Sequence, residues 1–192
     1  MKKTLLFTFI TVFAVFAAAA QNISFGAKAG LNLATFTGDA LTGLDTRASF
    51  HIGGLVEIPI TEKFSIQPEV LYSEKGSQFF GEELNLSYID FPVLAKYHII
   101  KGLSAELGPV ASFLLSAEQH RGGKDADVSD FTKSFDLGIG GGATYRLPMD
   151  IFFSLRFTKG LMNISENNTS EGYSSGSNVQ NNVFQISAGY MF

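Results

Sequence analysis

The chain has 192 residues, is 45% hydrophobic and carries 14 Lys and Arg against 18 Asp and Glu, a formal net charge of −4. That balance excludes nucleic acid as a partner, because it supplies no basic footprint for phosphates. There is no cysteine, which excludes a disulfide framework and a lipid-modified cysteine, so an exported domain must be held by a core or by a membrane.

The first element is the N-terminus. MKKTLLFTFITVFAVFAAAAQ has two lysines, an apolar run from Leu5 to Phe16 broken only by threonines, and Ala17 to Ala20 before Gln21. This is the pattern of a secretory signal peptide, with Ala18 and Ala20 as the small residues of a cleavage site. The apolar run falls short of the ~20 residues that a spanning helix needs. Residues 1–20 are therefore expected to be a cleaved signal peptide and 21–192 one exported domain. Loss of Lys2 and Lys3 leaves 12 basic against 18 acidic residues, a formal charge of −6.

Beyond Gln21 the hydrophobic period is two residues nearly everywhere, the mark of strands. The alternation predicts strands over approximately 23–35, 48–60, 64–76, 86–99, 103–118, 133–146, 150–165 and 182–192. In DIFFSLRFTKG, Ile151, Phe153, Leu155 and Phe157 alternate with Ser154, Arg156 and Thr158. In KSFDLGIGGGATYRL, Phe135, Leu137, Ile139, Ala143 and Tyr145 oppose Asp136, Gly138, Gly140, Gly142, Thr144 and Arg146. The connections ITEKF, IIKGL and LPMD are tight, whereas 36–47, 77–85, 119–132 and 166–181 are long and rich in Gly, Ser, Asn and Asp. Such a meander of eight strands can close into an up-and-down barrel with no free edge. Closure would pair the last strand, VFQISAGYMF, with the first, ISFGAKAGLNLATF.

The two faces differ in kind. One phase collects Phe25, Phe50, Ile52, Val70, Phe91, Phe113, Phe157 and further large apolar residues. So many rings would overfill an eight-stranded interior, which is just wide enough for its own side chains. The other phase mixes glycines with Lys28, Glu57, Glu69, Asp90, Lys96, Glu106, Asp136, Arg146 and Arg156. Their near-cancelling charges suit an ionic network inside the lumen, where an unpaired charge is expensive. On the apolar face, Phe64, Tyr97, Tyr145, Phe153, Tyr190 and Phe192 cluster beside the short turns, where an outer-membrane barrel carries its aromatic girdle. The expected fold is all-β, an eight-stranded antiparallel transmembrane barrel. The rival is a soluble lipocalin-like barrel with the apolar face turned inward.

AKAGLNLATF, HIGGLVEIPITEKFSIQPEVLYSEKG, YIDFPVLAKYHIIKGLSAELGPVASFLLS and VFQISAGYMF together resemble the small outer-membrane β-barrels called PorT-like or "porin family" proteins, over essentially all of 21–192. The resemblance implies a place in the outer membrane of a Gram-negative cell envelope, contact with its lipids, and insertion by the barrel-assembly machinery. That machinery reads a last strand ending in an aromatic, and Tyr190 and Phe192 match its aromatic positions. Its upstream glycine is replaced by Gln185.

Motifs for chemistry are weak. Gly138, Gly140 and Ala143 fit a dinucleotide fingerprint in letters but lie within one strand, where no helix follows. Asp125, Asp127 and Ser129 alternate like the start of a calcium loop, yet the required glycine is Asp130. His51, His98 and His120 fall at different levels, too far apart to share one catalytic site. A lumen filled by Lys28, Glu57, Glu69, Lys96, Glu106 and Arg156 is expected to be plugged rather than porous. The sequence therefore predicts no enzyme and no cofactor or metal. It predicts a structural or adhesive role through the external loops, with an outer-leaflet lipid-modifying enzyme or a soluble ligand-binding barrel as the alternatives.

Overall fold

The computed structural model describes residues 23–37, 45–79, 82–121, 124–127, 133–162 and 180–192. The expected signal peptide, Ser129 and Asp130, and nearly all of the 166–181 loop lie outside the described residues. The strands are β1 (Ser24–Thr37), β2 (Asp45–Pro59), β3 (Phe64–Phe79), β4 (Glu82–Ile100), β5 (Leu103–Arg121), β6 (Lys124–Asp127), β7 (Phe135–Arg146), β8 (Ile151–Gly160) and β9 (Gln180–Met191). Eight of them form one antiparallel ring in the order β4-β3-β2-β1-β9-β8-β7-β5, closed by the pairing of β4 with β5. Among the described residues no helix is long and apolar enough to cross a membrane.

β6 is a ninth strand that the sequence reading missed. It pairs with the far end of β5, from Glu118↔Asp127 to Arg121↔Lys124. Its segment KDAD has no hydrophobic alternation and so left no periodic signal. A register shift between β4 and β5 sets Ser87 against Ser116 and Tyr88 against Leu114. The bulge changes the phase of β5, and Ala117 is buried where Leu115 is exposed.

The remaining turns follow from local chemistry. Gly102 lies at φ 86°, in the left-handed region glycine enters freely. Asp150 takes φ 62°, tolerated because its short polar side chain can bond locally. The N–H of Arg146 donates to Gly102 O at 2.7 Å. At the junction of last and first strands, the N–H of Phe192 donates to Phe25 O at 2.7 Å and that of Met191 to Asp150 O at 3.0 Å. The last strand is thus tied to both neighbours at the short-turn rim.

Side-chain direction decides between the two barrels. Phe25, Leu107 and Phe153 are 58%, 59% and 53% exposed, while Lys28 and Arg156 are 3% and 2% exposed. The apolar phase faces outward and the charged phase inward, so the soluble barrel with an apolar interior does not describe this molecule. Leu155 sits midway along β8 on the outward face. Leu155→Arg should destabilise the folded barrel by about 2–4 kcal/mol, the cost of a cation at mid-membrane. Leu155→Phe should be close to neutral. Urea unfolding in lipid vesicles measures both, and equal stability of the two variants would refute the assignment of faces.

Candidate functional site

The interior is built from even-numbered and odd-numbered positions of successive strands, each strand sending alternate side chains inward. Near the short turns, Lys96 on β4 donates to Glu57 Oε2 on β2 at 2.8 Å and to Gln67 Oε1 at 2.9 Å. Arg146 on β7 reaches the same Glu57 Oε2 at 2.8 Å. β2 and β7 are four places apart in a ring of eight, so this bridge is a diameter of the barrel. His98 lies 3.8 Å from Glu57 Oε1 and 3.0 Å from Ser65 Oγ.

One layer further in stands Glu69. Arg156 grips it through both terminal nitrogens, each at 2.8 Å, and Lys28 Nζ approaches at 2.7 Å. Arg156 Nε donates to Glu106 Oε1 at 2.8 Å, and Thr144 Oγ1 donates to Glu106 Oε2 at 3.0 Å. β3 and β8 are again opposite in the ring, so a second bridge spans the lumen. Gln67 joins the layers by donating to Glu69 Oε1 at 2.6 Å. A two-pronged guanidinium–carboxylate contact is among the strongest of side-chain bonds.

The sequence reading left Lys75 out of this interior. It pairs with Asp90 at 2.8 Å, donates to Ser112 Oγ at 3.1 Å and lies 4.7 Å above the Tyr88 ring. Its place after Glu74, near the end of the expected strand, hid its phase. Asp136 also faces inward, but its Oδ1 has no hydrogen-bond partner, so it stands apart from the Glu57 and Glu69 clusters. Asp125 and Asp127 fall on β6 and His120 on β5. Gly138 and Gly140 lie within β7. The six rim aromatics are outward, with Phe64 opposite Tyr97 at 4.9 Å and Tyr190 beside Phe192 at 5.4 Å between ring centres.

A polar relay that sequence spacing could not reveal lies above Glu69. His51 Nε2 is 2.8 Å from Ser187 Oγ, and its Nδ1 is 2.8 Å from Asn32 Oδ1. Asn32 Nδ2 donates to Ser73 Oγ and Glu74 O at 3.0 and 2.7 Å, and Gln185 Nε2 donates to Asn32 Oδ1 at 2.9 Å. With Asn32 Oδ1 fixed as an acceptor, His51 Nδ1 carries the proton and Nε2 accepts from the serine. Gly30 makes the seat, since a Cβ there would collide with the Ile186 carbonyl oxygen and come within 2.8 Å of His51 Cε1.

Residues 19–166 match the family described as outer membrane protein beta-barrel domain. The fold is similar to that of Neisserial surface protein A, with a TM-score of 0.60 and 15% identity over 90% of this chain and 100% of that one. It is also similar to Ail, the attachment invasion locus protein of Yersinia pestis, with a TM-score of 0.55 and 13% identity over 88% and 98%. A second Ail structure, in complex with the heparin analogue sucrose octasulfate, has a TM-score of 0.55 at 12% identity over 90% and 100%. No curated protein sequence matches the chain.

Removal of Glu69 takes from Lys28 its ion-pair partner and from Arg156 one of its two. Glu69→Gln should lower stability by about 3–5 kcal/mol, the usual cost of breaking a buried pair from one side. Adding Lys28→Met should restore part of the loss, because Arg156 keeps Glu106. Urea midpoints of the two variants, measured in vesicles, would contradict the network if Glu69→Gln matched wild type.

Proposed function

We propose a function from one premise: the chain belongs to the outer membrane protein beta-barrel domain family and is an integral β-barrel of the outer membrane. Within that family we place it among the small PorT-like barrels, on the residue stretches quoted above. Its role is non-enzymatic, structural or adhesive, with the barrel as a plugged anchor and the long connections opposite the tight turns as the contact surface. One observation carries this reading. Glu57–Arg146 and Glu69–Arg156 join opposite walls through bonds of 2.8 Å, so a solute could pass only by breaking ion pairs that cross the lumen.

The likeness in fold to a surface protein and to an attachment protein supports work done at the cell surface. The partner class differs from the sulfated sugar seen with Ail, because this chain's net charge is −4 and a polyanion would be repelled. Loops such as ENNTSEGYSSGSNVQ offer hydroxyl and amide groups instead. Insertion by the barrel-assembly machinery, with Tyr190 and Phe192 in its signal, completes the proposal.

The His51 relay favours a second reading, an enzyme acting on outer-leaflet lipid. Ser187, His51 and Asn32 have the order and tautomer of a hydrolytic triad. Against it, His51 is 0% and Ser187 3% exposed, and a reacting carbonyl needs a place about 3 Å from the nucleophile. The relay therefore serves to fill and bond the lumen.

Purified protein in planar lipid bilayers should give no stepwise conductance, and a strain carrying Ser187→Ala should keep the lipid A profile of the wild type. Stable channels would overturn the plugged anchor, and an altered lipid A would restore the enzyme.

A further inference from the structure

The lipid-facing wall is not smooth. Between β1, β2, β3 and β4 it recedes into a hollow of about 420 Å³, walled by Phe25, Val56, Val70, Phe91 and Val93. Two features of the chain produce it. Pro68 and Pro92 lack the N–H that a ladder requires. The pairing of β2 with β3 stops at Leu55↔Glu69 and resumes at Ile58↔Ile66, and that of β3 with β4 stops at Pro68↔Val93 and resumes at Leu71↔Asp90.

The second feature is Gly54, which faces outward. A Cβ there would meet no atom nearer than Gly26 O at 3.7 Å. At neighbouring Gly53 a Cβ would run into the Val70 carbonyl oxygen, so close packing explains that glycine and not Gly54. The hollow is therefore open because a side chain that would fit is missing. Leu55 and Glu69 also belong to its lining, but the Glu69 carboxylate is turned inward onto Lys28 and Arg156.

We propose that this hollow holds one acyl chain of a phospholipid from the periplasmic leaflet. It is continuous with the lipid-facing belt of an outer-membrane protein, so hydrocarbon is what lies against it. It opens in the half nearer the tight turns, where Phe25 O accepts from Phe192 N–H, and short turns face the periplasm in this class of barrel. A chain seated there touches protein on several sides instead of one, and dispersion contacts accumulate with each. Water would find apolar walls without the polar partners it needs.

The test is retention. Protein refolded into phosphatidylethanolamine vesicles is extracted in mild detergent, and bound phospholipid is counted by native mass spectrometry. Wild type should keep one lipid. Gly54→Leu, which fills the hollow, should cut occupancy roughly fivefold, a change of about 1 kcal/mol in binding. Ala143→Leu, outward on β7 across the ring, should retain lipid as wild type does. The mobility shift between unboiled and boiled samples confirms that each variant is folded, and Val93→Phe, filling from the other wall, replaces Gly54→Leu if that variant is not. Equal retention by wild type and the filled variant, or equal loss in Ala143→Leu, would overturn the proposal.

Discussion

Glu69 is the carboxylate on which the interior turns. Three strands reach it at once, β1 through Lys28, β8 through Arg156 and its own neighbour Gln67 within β3. Because β3 and β8 face each other across the ring, the contact fixes a diameter as well as a pair. Charges so buried do not by themselves make a protein stable, since desolvation offsets most of their attraction. Their contribution here is geometric: a guanidinium fork meets a carboxylate in few arrangements, so one register of the opposing strands satisfies it.

The same constraint explains why small residues line the charged side. Long side chains that cross the lumen need room along their stems, and an eight-stranded interior has little. Glycines at positions such as Gly30 give that room by letting His51 lie against the backbone of β9. Apolar residues complete the filling, Leu55, Phe152 and Met191 in one cluster and Leu71, Leu94, Val110 and Val183 besides. Outward, no volume limit applies, and most of the large rings go there, Tyr88 and Phe152 being turned inward. One period-two pattern thus sorts the residues by size as well as by polarity.

That sorting is what a reader of the sequence can see. The central part of each ring strand, the closure of last on first and the directions of Lys28, Glu57, Glu69, Lys96, Glu106, Arg146 and Arg156 follow from alternation; the ends do not, since β3 and β4 run through most of the 77–85 segment expected as a long loop and pair as far as Phe79↔Glu82. Who bonds to whom does not. His51 and Ser187 are 136 residues apart, and their meeting depends on the register of β1 against both β2 and β9. Lys75 escaped because it lies at a strand end, and β6 because a polar hairpin has no apolar phase to betray it. The hollow was hidden for a different reason: Pro68 and Pro92 each interrupt a ladder, but their joint effect arises from where the ring sets them side by side.

Charge is distributed by the same logic. Among the described residues inside the barrel, Lys28, Lys75, Lys96, Arg146 and Arg156 stand against Glu57, Glu69, Asp90, Glu106 and Asp136, five of each sign, so these ten cancel. The acidic surplus of the chain is therefore not in this network. The tight turns cancel as well, Glu62 and Asp150 against Lys63 and Lys101, whereas Glu74 and Glu118 lie on the wall toward the other end. A protein whose inner charges and tight turns cancel carries its acidic surplus toward the long connections, and presents it to whatever approaches that end. Neutral or cationic surfaces can come close without penalty, and anionic ones are held off over about a Debye length of ~8 Å at physiological salt.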